Sequence, residues 1–445
     1  MEQRFEIGIV GGGPAGLRAA ELLAAQGASV VLWDPRIPWE KPCGGGLTAS
    51  LLRHVPELEE LIPRTRPIWT VHLEIDAERG LTVPLDAPLR MVSRMDLSRW
   101  QIKRAEDAGA RLERLGVKYL GRTEEGWEVG TSDGGRTKVD LLVGADGAAS
   151  LVRRVAAPEL RVELVPTRVR YPQGPGPDAD IVVMRFYEKA AGYLWDFPRL
   201  DHRSVGIGLP GKGWDRRRFD REIDAHIRSV EECECSEAPR AGAVIGTYRF
   251  GHGDFSSVGG EDFALLGDAA GFADPTTGEG IQNALRSAGL LAEAYGETRD
   301  FRTYPARARK SFAKEFRIGR LTRRILFDTG LGTRTIGWAM TSAFAYALVS
   351  VLTNASNTHE WNFRVLREKW FEARNSPRRH GASSWVWSRK PVVCGCGCAS
   401  GSGDSVLEAS FTQASASLHP QGGIVGRTEE RTRCIAGPGP ARRVS

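Results

Sequence analysis

The first thirty-four residues constrain the fold more than any other stretch. An apolar run, Glu6-Ile7-Gly8-Ile9-Val10, leads into Gly11-Gly12-Gly13-Pro14-Ala15-Gly16. An alanine-rich segment follows from Leu17 to Gln26, and after Gly27 a second apolar run, Ala28 to Trp33, ends on Asp34. The order is strand, glycine turn, helix, strand, acid. Gly11 permits a tight turn, Gly13 lets backbone approach a pyrophosphate, and Gly16 lets helix pack closely on strand. The helix start at Pro14 and Ala15 offers unpaired N–H groups and partial positive charge to phosphate. Asp34, eighteen residues beyond Gly16, stands where a carboxylate accepts a hydrogen bond from an adenosine ribose hydroxyl. The stretch predicts a dinucleotide site in an α/β, Rossmann-type domain, against the blander alternative of a purely structural glycine turn.

The 445 residues are enough for two or three domains and a sizeable core. A net charge of +6 is modest for this length and no nucleic-acid motif accompanies it, so binding to nucleic acid is not expected. Seven cysteines, an odd number, and a start that enters a core strand directly point to a reducing cytoplasm without a disulfide framework.

Further along lies Lys41-Pro42-Cys43-Gly44-Gly45-Gly46, where successive glycines let backbone lie against something flat. It reads either as a flexible loop or as one folded over the cofactor, with Cys43 near the reactive face. Trp69 to Ile75 and Gly80 to Leu85 alternate like a strand pair, and a helix is expected from Ser93 or Asp96 to about Ala108. Arg111 to Val129 reads as two short strands and Lys138 to Ala145 as another, delivering Asp146-Gly147 to its carboxyl end. That is where open α/β sheets bind ligands, although Asp-Gly alone is usually a turn. Between Val162 and Phe250 an antiparallel sheet is expected, with strands at Ile181 to Tyr187, Gly192 to Phe197 and Ser204 to Leu209 and a helix at Arg217 to Val230. The run Phe263 to Leu266 then ends in Gly267-Asp268, and the loop Pro275-Thr276-Thr277-Gly278-Glu279-Gly280-Ile281 opens a helix reaching about Tyr295. Small residues there leave room for a cofactor chain, and Asp268 can accept from a ribityl hydroxyl.

The expected domains are therefore discontinuous: an FAD-binding domain over 1–68, 93–160 and 255–300, an inserted substrate-binding sheet domain over 69–92 and 161–254, a C-terminal helical region over 301–375, and a disordered tail over 376–445. From Arg302 to Arg334 ten Lys or Arg stand against two acids, whereas Thr335 to Thr358 carries no charge. Three readings are open: a buried or pocket-lining helix, interfacial docking of residues 302–352 on anionic lipid, or a short transmembrane span. Cys394, Cys396 and Cys398 lack the paired two-residue gaps of zinc sites, and Cys233 and Cys235 have no support as ligands, so no metal is expected.

The opening turn with its acid, the mid-chain Gly144-Ala145-Asp146-Gly147 and the late Leu265-Leu266-Gly267-Asp268-Ala269-Ala270-Gly271 resemble the arrangement of aromatic hydroxylases, flavin halogenases and geranylgeranyl reductases. Two stretches narrow the choice. Lys41-Pro42-Cys43-Gly44-Gly45-Gly46 and Tyr193-Leu194-Trp195-Asp196-Phe197-Pro198-Arg199 resemble signatures of the geranylgeranyl reductase family, which binds FAD and saturates prenyl double bonds. Arg199 stands where that family usually has lysine, which keeps the charge and changes its geometry. The resemblance covers roughly residues 1 to 360.

It implies that Gly11, Gly13, Pro14, Ala15, Gly16 and Asp34 hold the adenosine half of FAD. Gly44, Gly45, Arg94, Asp146, Gly267, Asp268, Gly278, Gly280 and Ile281 would complete the cofactor site, with Asp146 as much a support as a contact. Tyr193, Trp195, Phe197, Pro198 and Arg199 would face substrate, the three rings sharing one side of a strand. Cys43 is either the proton donor, or its orienter, or a small residue packing under the flavin. The implied activity is reduction of carbon–carbon double bonds in an isoprenoid lipid or precursor, with NADPH or a ferredoxin as electron donor, in the cytoplasm or peripherally at the inner face of the membrane. The rivals are a flavin hydroxylase of aromatic or polyketide substrates, a halogenase, and a non-catalytic flavoprotein that binds lipid or carries electrons.

Overall fold

The computed structural model describes residues 3–75, 79–187, 190–208, 215–231, 239–248 and 255–324. Strand β1 (Gln3–Val10) leads through helix α1 (Pro14–Ala25) to β2 (Val30–Trp33), which lies parallel to β1 with Ile7 opposite Val30 and Val10 opposite Trp33. The near-continuous apolar runs in these strands follow from burial on both faces, the usual condition of a parallel sheet. The chain then leaves through β3 (Gly46–Leu47), α2 (Ala49–His54) and a 3-10 segment, Pro56–Arg64, to the antiparallel pair β4 (Thr65–Ile75) and β5 (Arg79–Val92). Both strands are longer than the alternation alone indicates: β5 runs on past Pro84 and Pro88, with a register shift between Ile68 and Thr70.

Helix α3 (Arg94–Asp107) starts at Ser93, whose Oγ accepts from the N–H of Met95 at 3.1 Å and of Asp96 at 3.4 Å. Asp96 occupies the first turn instead of the cap. Three strands, not two, follow: β6 (Arg111–Glu113), β7 (Val117–Thr123) and β8 (Gly126–Thr131), divided at Gly116 and at the turn into Gly126. Next come β9 (Arg136–Gly144) and α4 (Leu151–Ala156). A second sheet takes β10 (Val162–Arg170), β11 (Ile181–Tyr187), β12 (Ala190–Pro198) and β13 (Arg203–Gly208). After helix α5 (Arg216–Glu231) it gains β14 (Arg240–Tyr248). The chain returns with β15 (Phe263–Leu265), α6 (Ile281–Thr298) and α7 (Tyr304–Arg323).

The first sheet has the order β6-β2-β1-β9-β8-β7, with β15 alongside the end of β9. The early part of β9 pairs with β8 and its last residues with β15, Leu265 opposite Gly144. The carboxyl ends of β1, β2, β9 and β15 therefore gather at one edge. The second sheet has the order β14-β10-β13-β12-β11-β4-β5-β3. One seam departs from the expected antiparallel pattern: β11 lies parallel to β4, Arg185 opposite Glu74. A parallel pair needs a long crossover, and the excursion through β6 to β9 supplies it.

Phe219, Ile223 and Ile227 of α5 cover one face of that second sheet, packing on Leu194, Val205 and Ile207. Alternation along β12 therefore sends Leu194 and Asp196 toward α5, and Tyr193, Trp195 and Phe197 to the other face. In α7, Ala308, Phe312 and Phe316 are buried in the main core, with Phe312 and Phe316 stacked at 5.4 Å. Much of the nearby positive charge is met locally, Arg302 by Asp300 and Glu261, Arg307 by Glu293 and Glu297, and Arg323 by Glu163.

Among the described residues no helix is long and apolar enough to cross a membrane, and no cluster of His, Cys, Asp and Glu could hold a metal. The uncharged stretch at 335–358, the tail with Cys394, Cys396 and Cys398, and Cys233 and Cys235 lie outside the described residues.

Candidate active site

A cavity of about 230 Å³ opens where the gathered strand ends of the first sheet face the aromatic side of β12. Its first wall is the glycine turn. A Cβ on Gly16 would lie 1.9 Å from the Gly11 carbonyl oxygen, and one on Gly11, at φ +105°, would lie 2.4 Å from that of Ala145. These two glycines let α1 press against the ends of β1 and β9. Gly13, the residue before α1, is different: nothing lies within 4 Å of the Cβ it lacks. With Pro14 and Ala15 it borders the cavity. Asp34, just past β2, is 5 % exposed and accepts from the N–H of Gly12 at 2.8 Å and of Arg36 at 2.9 Å. Gly11, Gly16 and Asp34 thus shape the turn from outside the cavity wall.

The second wall is the loop at 41–46. The Cys43 carbonyl accepts from Arg199 Nη2 at 2.7 Å and Ser204 Oγ at 2.9 Å, and Cys43 Sγ accepts from the Gly45 N–H at 3.4 Å. A Cβ on Gly44 would stand 2.6 Å from the Phe197 ring; on Gly45, at φ +80°, it would stand 2.3 Å from the Val92 carbonyl oxygen. The glycines are there because the backbone lies flat between an aromatic ring and the end of β5. Glu40 anchors the loop, accepting from Ser93 Oγ at 2.7 Å, from the N–H of Met95 at 2.8 Å and Arg94 at 3.1 Å, and from Arg199 Nη1 at 2.5 Å. Burial opposes its charge, but the Arg199 guanidinium and these donors outweigh burial and hold the carboxyl below its ordinary value. Lys41 Nζ reaches Asp268 Oδ2 at 3.1 Å across the cavity edge. Arg94 also lines it, 6 % exposed, with Nε lacking a hydrogen-bond partner among the described residues.

The third wall is β12. Tyr193, Trp195 and Phe197 line the cavity as a continuous aromatic strip, with neighbouring ring centroids 6.0 and 6.5 Å apart. Trp195 Nε1 donates to Ser204 Oγ at 3.1 Å, the same hydroxyl that holds the Cys43 carbonyl. Tyr193 donates to the Thr277 carbonyl at 2.7 Å, and burial, with Cys43, Glu279 and Asp274 nearby, pushes its phenol above the ordinary range.

The last wall is the loop before α6, with Gly267, Asp268, Gly278, Gly280 and Ile281 all bordering the cavity. Asp274 organises it, one oxygen accepting from the N–H groups of Thr276 and Thr277 and the Thr277 hydroxyl at 2.8–3.0 Å. Its neighbour Glu279 also lines the cavity, and its Oε1 is closed off from solvent with no hydrogen-bond partner among the described residues. Burial, reinforced by Asp274 and opposed by Arg286, raises this carboxyl to about 7.

Three expected contacts are corrected. Asp146 turns away from the cavity: its carboxylate accepts from Ser150 Oγ at 2.5 Å and from the N–H of Leu151 at 2.6 Å, capping α4, while its neighbours Ala145 and Gly147 form the wall. Pro198 is absent from the wall because alternation turns it to the opposite face from Phe197. Arg199, 1 % exposed, lies behind the loop at 41–46, where its fork spans Glu40 and two loop carbonyls. Sequence reasoning passed over Lys41, Glu40, Ser204 and Glu279. Glu279 carried the one available signal, an acid between two glycines at a helix start.

The residues present fit FAD. Gly13 leaves a cradle that a methyl group would fill, beside a helix N-terminus suited to phosphate, and Arg94, which lines the same cavity, has a buried Nε without a partner among the described residues. Gly267, Gly278 and Gly280 leave room on the far side.

Comparison with known proteins agrees. Residues 9–38 match the model of the NAD(P)-binding Rossmann-like domain. Geranylgeranyl diphosphate reductase of Rhodobacter capsulatus is 30% identical over 308 residues, 65% of this chain and 75% of that protein. Menaquinone reductase of Mycobacterium tuberculosis is 29% identical over 400 residues, 82% of this chain and 96% of that protein. Among solved structures, a geranylgeranyl bacteriochlorophyll reductase-like protein from Thermoplasma acidophilum superposes with a TM-score of 0.65 at 18% identity, covering 84% of this chain and 97% of that one. With its glycine turn, its flat loop at Cys43 and its aromatic strand around one cavity, the chain belongs to the geranylgeranyl reductase family of FAD-dependent oxidoreductases.

Proposed function

We propose that the protein reduces carbon–carbon double bonds of an isoprenoid lipid or isoprenoid-bearing precursor. The carrying observation is the aromatic strip Tyr193-Trp195-Phe197 set opposite the cofactor cradle in a single cavity. Bound FAD, once reduced, supplies hydride. The chain's own residues do the rest. An isolated alkene is a poor hydride acceptor, so it must be held flat and dry; the three rings provide a rigid apolar wall suited to a prenyl chain. Gly44 and Gly45 let the loop backbone lie flat against the Phe197 ring and the end of β5 on the wall beside that chain. Gly13 and the start of α1 would hold the FAD pyrophosphate, with Arg94 adding a cation and Asp268 on the ribityl side. A proton must reach the second alkene carbon, and Cys43 and Glu279 are acids on the wall.

On this reading NADPH or a ferredoxin-type protein supplies electrons, and the region 302–352 carries any association with a membrane surface. Mass spectrometry of prenyl lipids from cells with and without the protein tests the proposal. The expected result is accumulation of chains richer in hydrogen only where the protein is present. Unchanged saturation, with a hydroxylated aromatic product in its place, would favour the hydroxylase alternative.

A further inference from the structure

Glu279 is a carboxyl the cofactor site does not use. It precedes Gly280, the N-cap of α6, and its backbone is fixed at both ends: its N–H donates to Thr277 Oγ1 at 3.2 Å and its carbonyl accepts from the Asp274 N–H at 2.8 Å. The residue lines the cavity, and its Oε1 has no partner among the described residues. Apart from Arg94, whose Nε has no partner among the described residues, the charged and titratable groups around it are engaged elsewhere. Asp274 is committed to the Thr276 and Thr277 donors. Arg286 is engaged by Glu315, 2.8 and 3.2 Å away, and by Ser311. Lys41 is paired with Asp268, Tyr193 donates to the Thr277 carbonyl, and the Cys43 sulfur accepts from Gly45. Arg286 offsets the burial only in part, so a carboxyl with one oxygen closed off from solvent and unpaired among the described residues is held toward its protonated form.

We propose that Glu279, rather than Cys43, is the acid that protonates the alkene in this cavity. The inference rests on the reductase reading above. Hydride from the reduced flavin forms a C–H bond at one alkene carbon while the π electron pair takes the proton from the Glu279 carboxyl at the other. Glu279 is left as a carboxylate and regains a proton from water when product leaves. The Tyr193 ring, beside both Cys43 and Glu279, keeps the chain within reach of the acid. Burial raises its carboxyl to about 7, so a large share of the group carries its proton at neutral pH, the condition for an efficient general acid.

The test uses the FAD-loaded protein and two readouts. Infrared spectroscopy should show a protonated-carboxyl band that fades with a midpoint near pH 7, is missing in Glu279→Gln and persists in Cys43→Ser. Single-turnover reduction of geranylgeranyl diphosphate by dithionite-reduced protein should fall about 100-fold or more in Glu279→Gln, with flavin binding retained, and recover in part in Glu279→Asp. Parental turnover by Glu279→Gln, or no titrating band in the parent, would overturn the donor role alone. A parent that shows the band but reduces no prenyl chain would overturn the reductase reading as well.

Discussion

At the scale of single residues, the glycine turn contains two kinds of glycine. Gly16 and Gly11 are required by contacts within the protein, whereas Gly13 faces open space on the cavity wall. Gly16→Ala should destabilise the apoprotein by about 2 kcal/mol or more through overpacking. Gly13→Ala should leave apoprotein stability within about 0.5 kcal/mol while weakening FAD binding at least about tenfold, as judged by melting with and without FAD; equal stability losses in the two variants would refute the distinction. Glu279 gives a second prediction. Its folded value is raised, so the folded state holds a proton that the unfolded state has lost, and stability falls as pH rises from the ordinary carboxyl value of 4.5 to about 7. Glu279→Gln should therefore match the parent below pH 4.5 and exceed it above pH 7, by on the order of 3 kcal/mol. Denaturant melts at pH 4 and pH 8 measure this, and a constant difference would contradict it.

At the scale of elements, β12 shows what alternation can and cannot reveal. It places Tyr193, Trp195 and Phe197 on one face, since that periodicity is local. It says nothing of what covers the other face, which is set by packing on α5, nor that the strand ends at Pro198 and sends Arg199 behind the loop at 41–46, which depends on contacts more than a hundred residues away in sequence. Asp146 was misplaced for a similar reason: a strand-end acid looks the same whether it meets a ligand or caps the next helix. The parallel seam between β4 and β11 was equally hidden. It is fastened by Arg185 Nε on Glu74 at 2.6 Å and Arg185 Nη2 with His226 Nδ1 of α5 at 3.1 Å. Burial opposes the Glu74 charge, but His72 and Arg185 prevail and lower the carboxyl to about 2. A lowered carboxyl contributes stability that is fully present above its unfolded value and lost as pH falls through its folded one. The contribution of Glu74 should thus fade between pH 4.5 and about 2, on the order of 3 kcal/mol in all. Glu74→Gln should lose stability at pH 7 and show a flatter acid limb in urea melts; an unchanged acid limb would count against the seam.

At the scale of the whole molecule, the opening motif alone signified only a dinucleotide. The late Gly267-Asp268 turn extends the cradle, because β15 returns to β9 and brings that turn to the same edge as Gly13. The second sheet then closes the cavity with an apolar face. Those relations were legible from three separated motifs, whereas the networks behind the walls, Glu40 with Arg199 and Asp274 beside Glu279, were not, since no local pattern encodes which buried acid finds a partner. The cradle and the aromatic strip together make the central claim, that the cavity delivers hydride and a proton to a prenyl double bond. Anaerobic incubation of the dithionite-reduced, FAD-loaded protein with geranylgeranyl diphosphate in deuterated water tests it most directly. Product carrying two added hydrogens per reduced bond, both of them deuterium because the flavin hydride and the acid proton are each drawn from solvent, is the predicted result; unreacted substrate without oxygen, and an oxygenated product once air is admitted, would contradict it.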